Sequence, residues 1–380
     1  MFVAVFLLFA SWIGTWAAAP SSSDPNTTFN NVTLREVVHA GIGGSAVRVR
    51  LTNRFGDEPV RISAVTIAVA RNSASADAVP TTLRVVTFSG AASATIPAHA
   101  DIVSDNVALS VAPQSDLLVS LYIADPTSSP TYHHLAYQDS FSAPGNRVND
   151  VGSRAFTARD RNWYFLDAVD VSGSSARGSV VALGDSITNG QGSTIDGNDR
   201  WTDDLARRLE ALPAGHRLTV LNGGIDGDRI LMSSPRFGAS ALERFDNDVL
   251  AQSGVTDLIV LLGINDIQQT PHQYDASKIE FGLTQLVRRA HMRGIRAIGC
   301  TITPYGGWLT YADAGEQTRL AVNNFIRSSG IFDGVADFDA IVRDPHDPHR
   351  LSGAFDSGDH LHPNAAAYRA MAEAIKLGTL

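Results

Sequence analysis

The pattern of apolar residues changes once along this chain, near Gly173-Ser174-Ser175, and that change limits the folds open to it. Before it, from about Thr33 to Val171, apolar and polar residues alternate. Examples are Ala46-Val47-Arg48-Val49-Arg50-Leu51, the run Val60 to Ile67, and Asp116 to Tyr122. Period-two alternation punctuated by Gly, Pro, Asn and Asp implies antiparallel strands with one wet face. Repeated short strands without helices imply a sandwich or jelly roll over residues 33–171. After the change, continuous apolar runs alternate with helical stretches. Strands are expected at Val180–Gly184, Leu218–Leu221, Leu258–Gly263, Ala297–Thr301 and Val335–Phe338. Helices are expected at Trp201–Leu212, Ile279–Arg293, Leu320–Ile326 and Ala365–Ile375. Unbroken apolar strands separated by helices form a parallel sheet covered on both faces. This second, α/β domain is placed at residues 178–380.

A chain of 380 residues, 44% hydrophobic and 18% charged, has ample material for two such cores. The formal net charge is −9 and no run of Lys or Arg is present, which argues against nucleic acid or an anionic membrane as partner. Residues Phe2 to Trp16 are nearly all apolar and precede Ala17-Ala18-Ala19. The run is too short to span a bilayer comfortably, so residues 1–19 read as a signal peptide and the protein as secreted; an N-terminal anchor is the alternative. Cys300 is the sole cysteine, so no internal disulfide can form, and its apolar neighbours suggest an inert, buried thiol. Asn26-Thr27-Thr28 and Asn31-Val32-Thr33 fit the glycosylation sequon and matter only in a eukaryotic host.

In a parallel sheet, active groups collect where strands end. Gly184-Asp185-Ser186 stands at one such end, with a Gly for a sharp turn and a Ser to present its hydroxyl. Alone it reads as readily as a turn or helix cap. A Ser hydroxyl needs a base, and the base an acid to hold it. Asp359-His360-Leu361-His362 offers both on one loop. A tetrahedral intermediate also needs donors aimed at its oxyanion. Gly227 can bring a bare backbone N–H to a ligand, and Asn265, just past a strand, can offer a side-chain amide; a Gly-rich turn and an Asx turn are the plainer readings.

Gly-Asp-Ser, Asn222-x-x-Ile225-x-Gly227, Gly263-x-Asn265-Asp266 and Asp359-x-x-His362 follow one another in that order. As a set they resemble the GDSL or SGNH hydrolase family of esterases and lipases, over about Ser179 to Leu377. The resemblance implies a flavodoxin-like, three-layer α/β/α domain. It implies Ser186 as nucleophile, His362 as general base and Asp359 as its orienting acid. The oxyanion hole would comprise the Ser186 N–H, the Gly227 N–H and the Asn265 side chain. His360 is the competing base. Gly192-Ser193-Thr194, Arg200-Trp201, Asn222 to Ile225 and Asp356-x-Gly358-Asp359 also look like the XynE-type acylhydrolases, which often carry an N-terminal β domain. Asn189 departs from the Asp that many relatives have. No Gly-x-Ser-x-Gly elbow occurs, which argues against an α/β-hydrolase.

The implied activity is serine ester hydrolysis without cofactor or metal, on a small ester or an acylated polysaccharide. The alternatives are a lipase or phospholipase for longer acyl chains, and a carbohydrate-binding protein whose hydrolase domain is vestigial. His346-Asp347-Pro348-His349 reads as a polar loop rather than a metal site, because Pro348 breaks the helix that would align the two imidazoles. Tyr132, His133 and His134 could face a cleft or pack between domains. Trp308, Tyr305 and Tyr311 could line a site or cap the core, and Trp201 reads as core.

Overall fold

The computed structural model describes residues 11–380. Its N-terminal part is a sandwich of two antiparallel sheets. One runs Ile13–Ala17, Leu166–Ser172, Ala46–Thr52, Asp101–Val103; the other is six-stranded and centres on Val32–Ala40 and Ser115–Ile123. Their inner faces share one apolar core that includes Val38, Val47, Val49, Ile67, Val119 and Val169. The run Val60 to Ile67, expected as one strand, divides at Ser63. Val60–Ile62 pairs with Ala94–Ile96, and Ala64–Val69 joins the six-stranded sheet.

Residues 178–380 form a five-stranded parallel sheet ordered Leu218–Gly224, Gly178–Gly184, Val255–Leu261, Arg296–Cys300, Gly334–Ala336. Numbered along the chain this is 2-1-3-4-5, the flavodoxin-like order. Every residue of Gly178–Gly184 is buried, as a strand covered on both faces requires. Helices Ala276–His291 and Asp313–Ser328 cover one face; Trp201–Glu210 and Ala365–Ala374 cover the other. The last strand is shorter than expected because Asp337 turns the chain and caps helix Phe338–Val342. Helix Asp313–Ser328 begins a full two turns before Leu320, across Ala-Gly-Glu-Gln-Thr-Arg, where no apolar stripe announces it. Trp201 is core, fully buried against Phe338, and Cys300 is buried with its thiol pushed up by desolvation.

Two expectations need correcting. The first is the leader. Residues 1–10 lie outside the described residues, but Ile13–Ala17 is a buried strand paired with Leu166–Ser172, and Ala18 and Ala19 are buried as well. A cut after Ala19 would strip a strand from the sandwich, whose all-β region therefore starts at Ile13 rather than residue 33. The second is the wet face of Ala46–Thr52. Arg48 and Arg50 do not point to open solvent. Arg48 bonds Asp170 (2.8 Å) and Ser253 Oγ (3.1 Å), and Arg50 bonds Asp167 (2.8 Å), Ala251 O and Gln252 Oε1 (both 3.2 Å). The polar face of this strand is thus a docking face, with each guanidinium bridging the two domains. Ala17 and Ala168 extend the contact into the apolar layer around Leu221 and Val249. The linker Gly173–Arg177 need not hold the domains together, because this interface does.

Candidate active site

Strand Gly178–Gly184 ends at a position that tolerates no side chain: a Cβ on Gly184 would lie 2.0 Å from Thr188 Oγ1. The chain turns through Asp185, whose carboxylate accepts the Ile187 N–H (3.0 Å) and caps the one-turn helix Ser186–Asn189. Ser186 is the first residue of that turn, so its N–H has no intrahelical acceptor. Beneath it the buried Arg244 donates to Gly184 O (3.0 Å), Asp228 (2.6 Å) and Asp248 (3.0 Å), clamping the strand end to helix Ala241–Phe245. Burial, and the neighbouring Asp228, Asp226 and Asp266, push Asp185 up to about 8 against its bond from Ile187.

The C-terminal loop meets this turn. His362 Nε2 lies 2.9 Å from Ser186 Oγ, and His362 Nδ1 lies 2.6 Å from Asp359 Oδ2. A carboxylate can only accept, so Nδ1 carries the proton and Nε2 presents its lone pair to the Ser186 hydroxyl. Both Ser186 and His362 are buried. Asp359 also accepts the N–H groups of Leu361 (2.9 Å) and His362 (2.8 Å). Burial opposes its ionisation, but the bonds from His362 outweigh burial and hold it well below the usual carboxylate range. The rival base is elsewhere: His360 is exposed, at φ 70°, and pairs with Asp356 (2.6 Å).

Gly227 and Asn265 stand at the ends of the two strands flanking this one. Gly227 has φ 75°, and a Cβ there would strike the Phe237 ring at 2.4 Å. Its N–H has no hydrogen-bond partner among the described residues. Asn265 Oδ1 accepts from Gln268 Nε2 (2.8 Å) and Gln269 Nε2 (2.9 Å). Its Nδ2 is therefore the end left free, and it is buried without a partner among the described residues. A buried, unpaired amide donor costs about 1–3 kcal/mol, a cost that an arriving oxyanion would relieve. Gln269 Nε2 also donates to Gly227 O (3.0 Å), so one side chain ties both donors together. Gln268 in turn accepts from Trp308 Nε1 (3.1 Å) and Thr310 Oγ1 (2.7 Å).

The β domain reaches the same turn. Asn189 Nδ2 donates to Leu135 O (2.9 Å) and Asp226 Oδ1 (2.8 Å), and its Oδ1 lies 2.9 Å from His133 Nε2. Tyr137 donates its hydroxyl to Asp226 Oδ2 (2.8 Å). Burial holds Asp226 above the usual carboxylate range despite these bonds. Gly227 follows Asp226 directly. A β-domain loop thus holds one of the two strand ends that carry the candidate donors, through Asn189.

Ser186, Gly227, Asn265 and His362 line one cleft of about 630 Å³, and Asp359 meets it through His362. Tyr132, His134 and Trp308 line it too, whereas Tyr305 is core. His133 is buried between the domains. His349 belongs to a separate contact, 2.8 Å from Glu316. Arg244, Gln268, Gln269 and Tyr137 were not singled out from sequence. Only the two glutamines left a signal there, following Asn265 at a helical interval that lets their amides fold back on it.

Fold and site together define a flavodoxin-like, three-layer α/β/α domain with a Ser-His-Asp hydrogen-bond chain. Residues 182–370 match the GDSL-like lipase/acylhydrolase family, and the chain belongs to it through this domain. It is an ester hydrolase. No curated protein matches. Among solved structures, the chain is similar to one described as a G-D-S-L lipolytic protein from Desulfitobacterium hafniense (21% identity, 53% of this chain and 99% of that one, TM-score 0.41). It is also similar to the acetyl xylan esterase AlAXEase (19%, 52% and 96%, 0.41) and to a GDSL-like lipase from Bacteroides thetaiotaomicron (19%, 53% and 87%, 0.39). At these scores the likenesses say nothing about substrate.

Proposed function

We propose that the protein is a secreted esterase that removes short acyl groups, acetyl foremost, from a polysaccharide or a fragment of one. Ser186 Oγ attacks the ester carbonyl as its proton passes to His362 Nε2. The Ser186 and Gly227 N–H groups and Asn265 Nδ2 receive the oxyanion. His362 then protonates the leaving alcohol, and water, deprotonated by the same imidazole, releases the acid and restores Ser186. Asp359 holds the imidazole and stabilises its charged form. The observation that carries the chemistry is the free Asn265 amide, buried beside a Ser–His–Asp chain with its oxygen already engaged.

The substrate reading is supported by the character of the cleft. Its walls mix aromatic rings with Ser, Asp, Gln and Arg side chains rather than forming a continuous apolar channel for a long acyl chain. No helix among the described residues is long and apolar enough to cross a membrane. Secretion is supported by the apolar run Phe2 to Trp12, with Ile13–Ala17 retained in the folded chain. The deciding experiment compares p-nitrophenyl esters from acetate to palmitate beside acetylated xylan. Highest kcat/KM on acetate, with acetate released from xylan, is the expected result. A maximum on long chains would overturn it in favour of a lipase.

A further inference from the structure

We propose that the β domain forms the alcohol side of the cleft, and that Tyr132, with Ser22 and Asp24 beside it, binds a pyranose ring of the substrate. This rests on the ester-hydrolase reading of the same site.

One wall of the cleft comes from the parallel-sheet domain and carries the reacting groups. The facing wall is built by the β domain from residues 22–25 and 132–135. The two stretches are neighbours because Ser21–Ser22 and Thr131–His133 pair in one small sheet, with Tyr132 opposite Ser21. A cleft of about 630 Å³ falls within the range of sites that enclose a whole small ligand (~300–1,000 Å³). A short acyl group fills little of it, so most of the volume belongs to the alcohol.

The chemistry of the β-domain wall suits a sugar. The Tyr132 ring is half-buried and held in place, stacked on Tyr164 (6.0 Å, 29°) and tilted against His134 (5.6 Å). A pre-set ring loses little entropy when a ligand stacks on it. Its hydroxyl has no partner among the described residues, although the ring is packed. Asp24 engages only Oδ1, which accepts from the Asn26 backbone and side chain, so Oδ2 is free to accept. Ser22 is exposed and its hydroxyl is likewise unengaged among the described residues. An apolar face ringed by hydroxyl and carboxylate groups matches the C–H face and equatorial hydroxyls of a pyranose. An acyl chain would leave those polar groups desolvated and unpaired.

The test uses the full chain and two substrates, p-nitrophenyl acetate and acetylated xylo-oligosaccharides. The readout is the ratio of kcat/KM on the oligosaccharide to that on the aryl ester. Tyr132→Ala and Asp24→Ala should each lower this ratio, Tyr132→Ala by about tenfold and through KM, as the loss of one aromatic stacking contact predicts. Tyr132→Phe, which keeps the ring, should recover most of the loss. Asp24 is exposed, so its variant reads binding without endangering the fold. A ratio unchanged in both alanine variants, because both substrates suffer alike or neither does, overturns the proposal. If the wild-type protein turns over p-nitrophenyl acetate but not the oligosaccharides, the sugar site is wrong and the esterase stands. If it turns over neither, the esterase reading falls and takes this proposal with it.

Discussion

The two domains contribute to one cleft in opposite ways. The parallel sheet places its groups by local geometry: Ser186, Gly227 and Asn265 each lie within four residues of a strand's carboxyl end, held by sharp turns or helix starts. The β domain contributes no such motif. Its residues come from segments more than a hundred positions apart, 22–25 and 132–137, and act as a wall and a brace. The candidate chemistry is thus concentrated in short loops of one domain, and the wall and brace are spread over the surface of the other. The comparison teaches why the first can be recognised from short sequence blocks and the second cannot.

The sharpest challenge to that division is Ser186→Ala. Activity should fall by about 10⁴-fold or more while the melting temperature stays put, since the hydroxyl contributes one bond to His362. Retained turnover by pure variant protein would remove the chemistry from this sheet edge. Next in size is Asn265→Ala, expected to lower kcat by about 10²–10³-fold. An unchanged rate would mean that the free amide does not meet the oxyanion.

Asp185→Asn probes stability rather than rate. The folded pKa, pushed up to about 8, lies above the unfolded value of about 3.9, so the folded protein keeps a proton that the unfolded chain releases. Wild-type stability should therefore fall as pH rises from about 4 to about 8. The variant keeps the helix cap and cannot ionise. Its advantage in urea unfolding should grow steadily across that interval. A gap independent of pH would show that Asp185 is ionised in the fold. The smallest effect is expected from the brace. Tyr137→Phe removes one bond to Asp226 and should cost about 1 kcal/mol, seen as a several-fold lower kcat with KM little changed. A loss confined to thermal stability would make the β domain a scaffold and not a support for the Gly227 loop.

Much of the α/β domain was legible because its strands are buried on both faces and its helices carry stripes. All five strands lie where the apolar runs predicted them, within a few residues. What escaped notice had no periodic signal. The short helices Ala241–Phe245 and Ile264–Gln268 are too brief for one, and the N-terminal part of Asp313–Ser328 buries Glu316 and Arg319 as an ion pair instead of an apolar stripe. Ile13–Ala17 misled because an apolar run before small residues looks alike whether it is exported and cleaved or folded into a sheet.

By itself the sequence determined that one half would be antiparallel and the other parallel, that Ser186 would sit at a strand end, and that an Asp–His pair would follow near the C-terminus. These are consequences of periodicity and short-range spacing. Only the tertiary structure decided that His362 and not His360 faces Ser186, because two histidines two residues apart on an irregular loop can point either way. It alone decided that the Asn265 amide turns its nitrogen to the cleft, because that depends on Gln268 and Gln269 folding back on its oxygen. It also turned Arg48, Arg50, Asn189 and Tyr132 toward the other domain, since docking of two surfaces leaves no periodic trace in either.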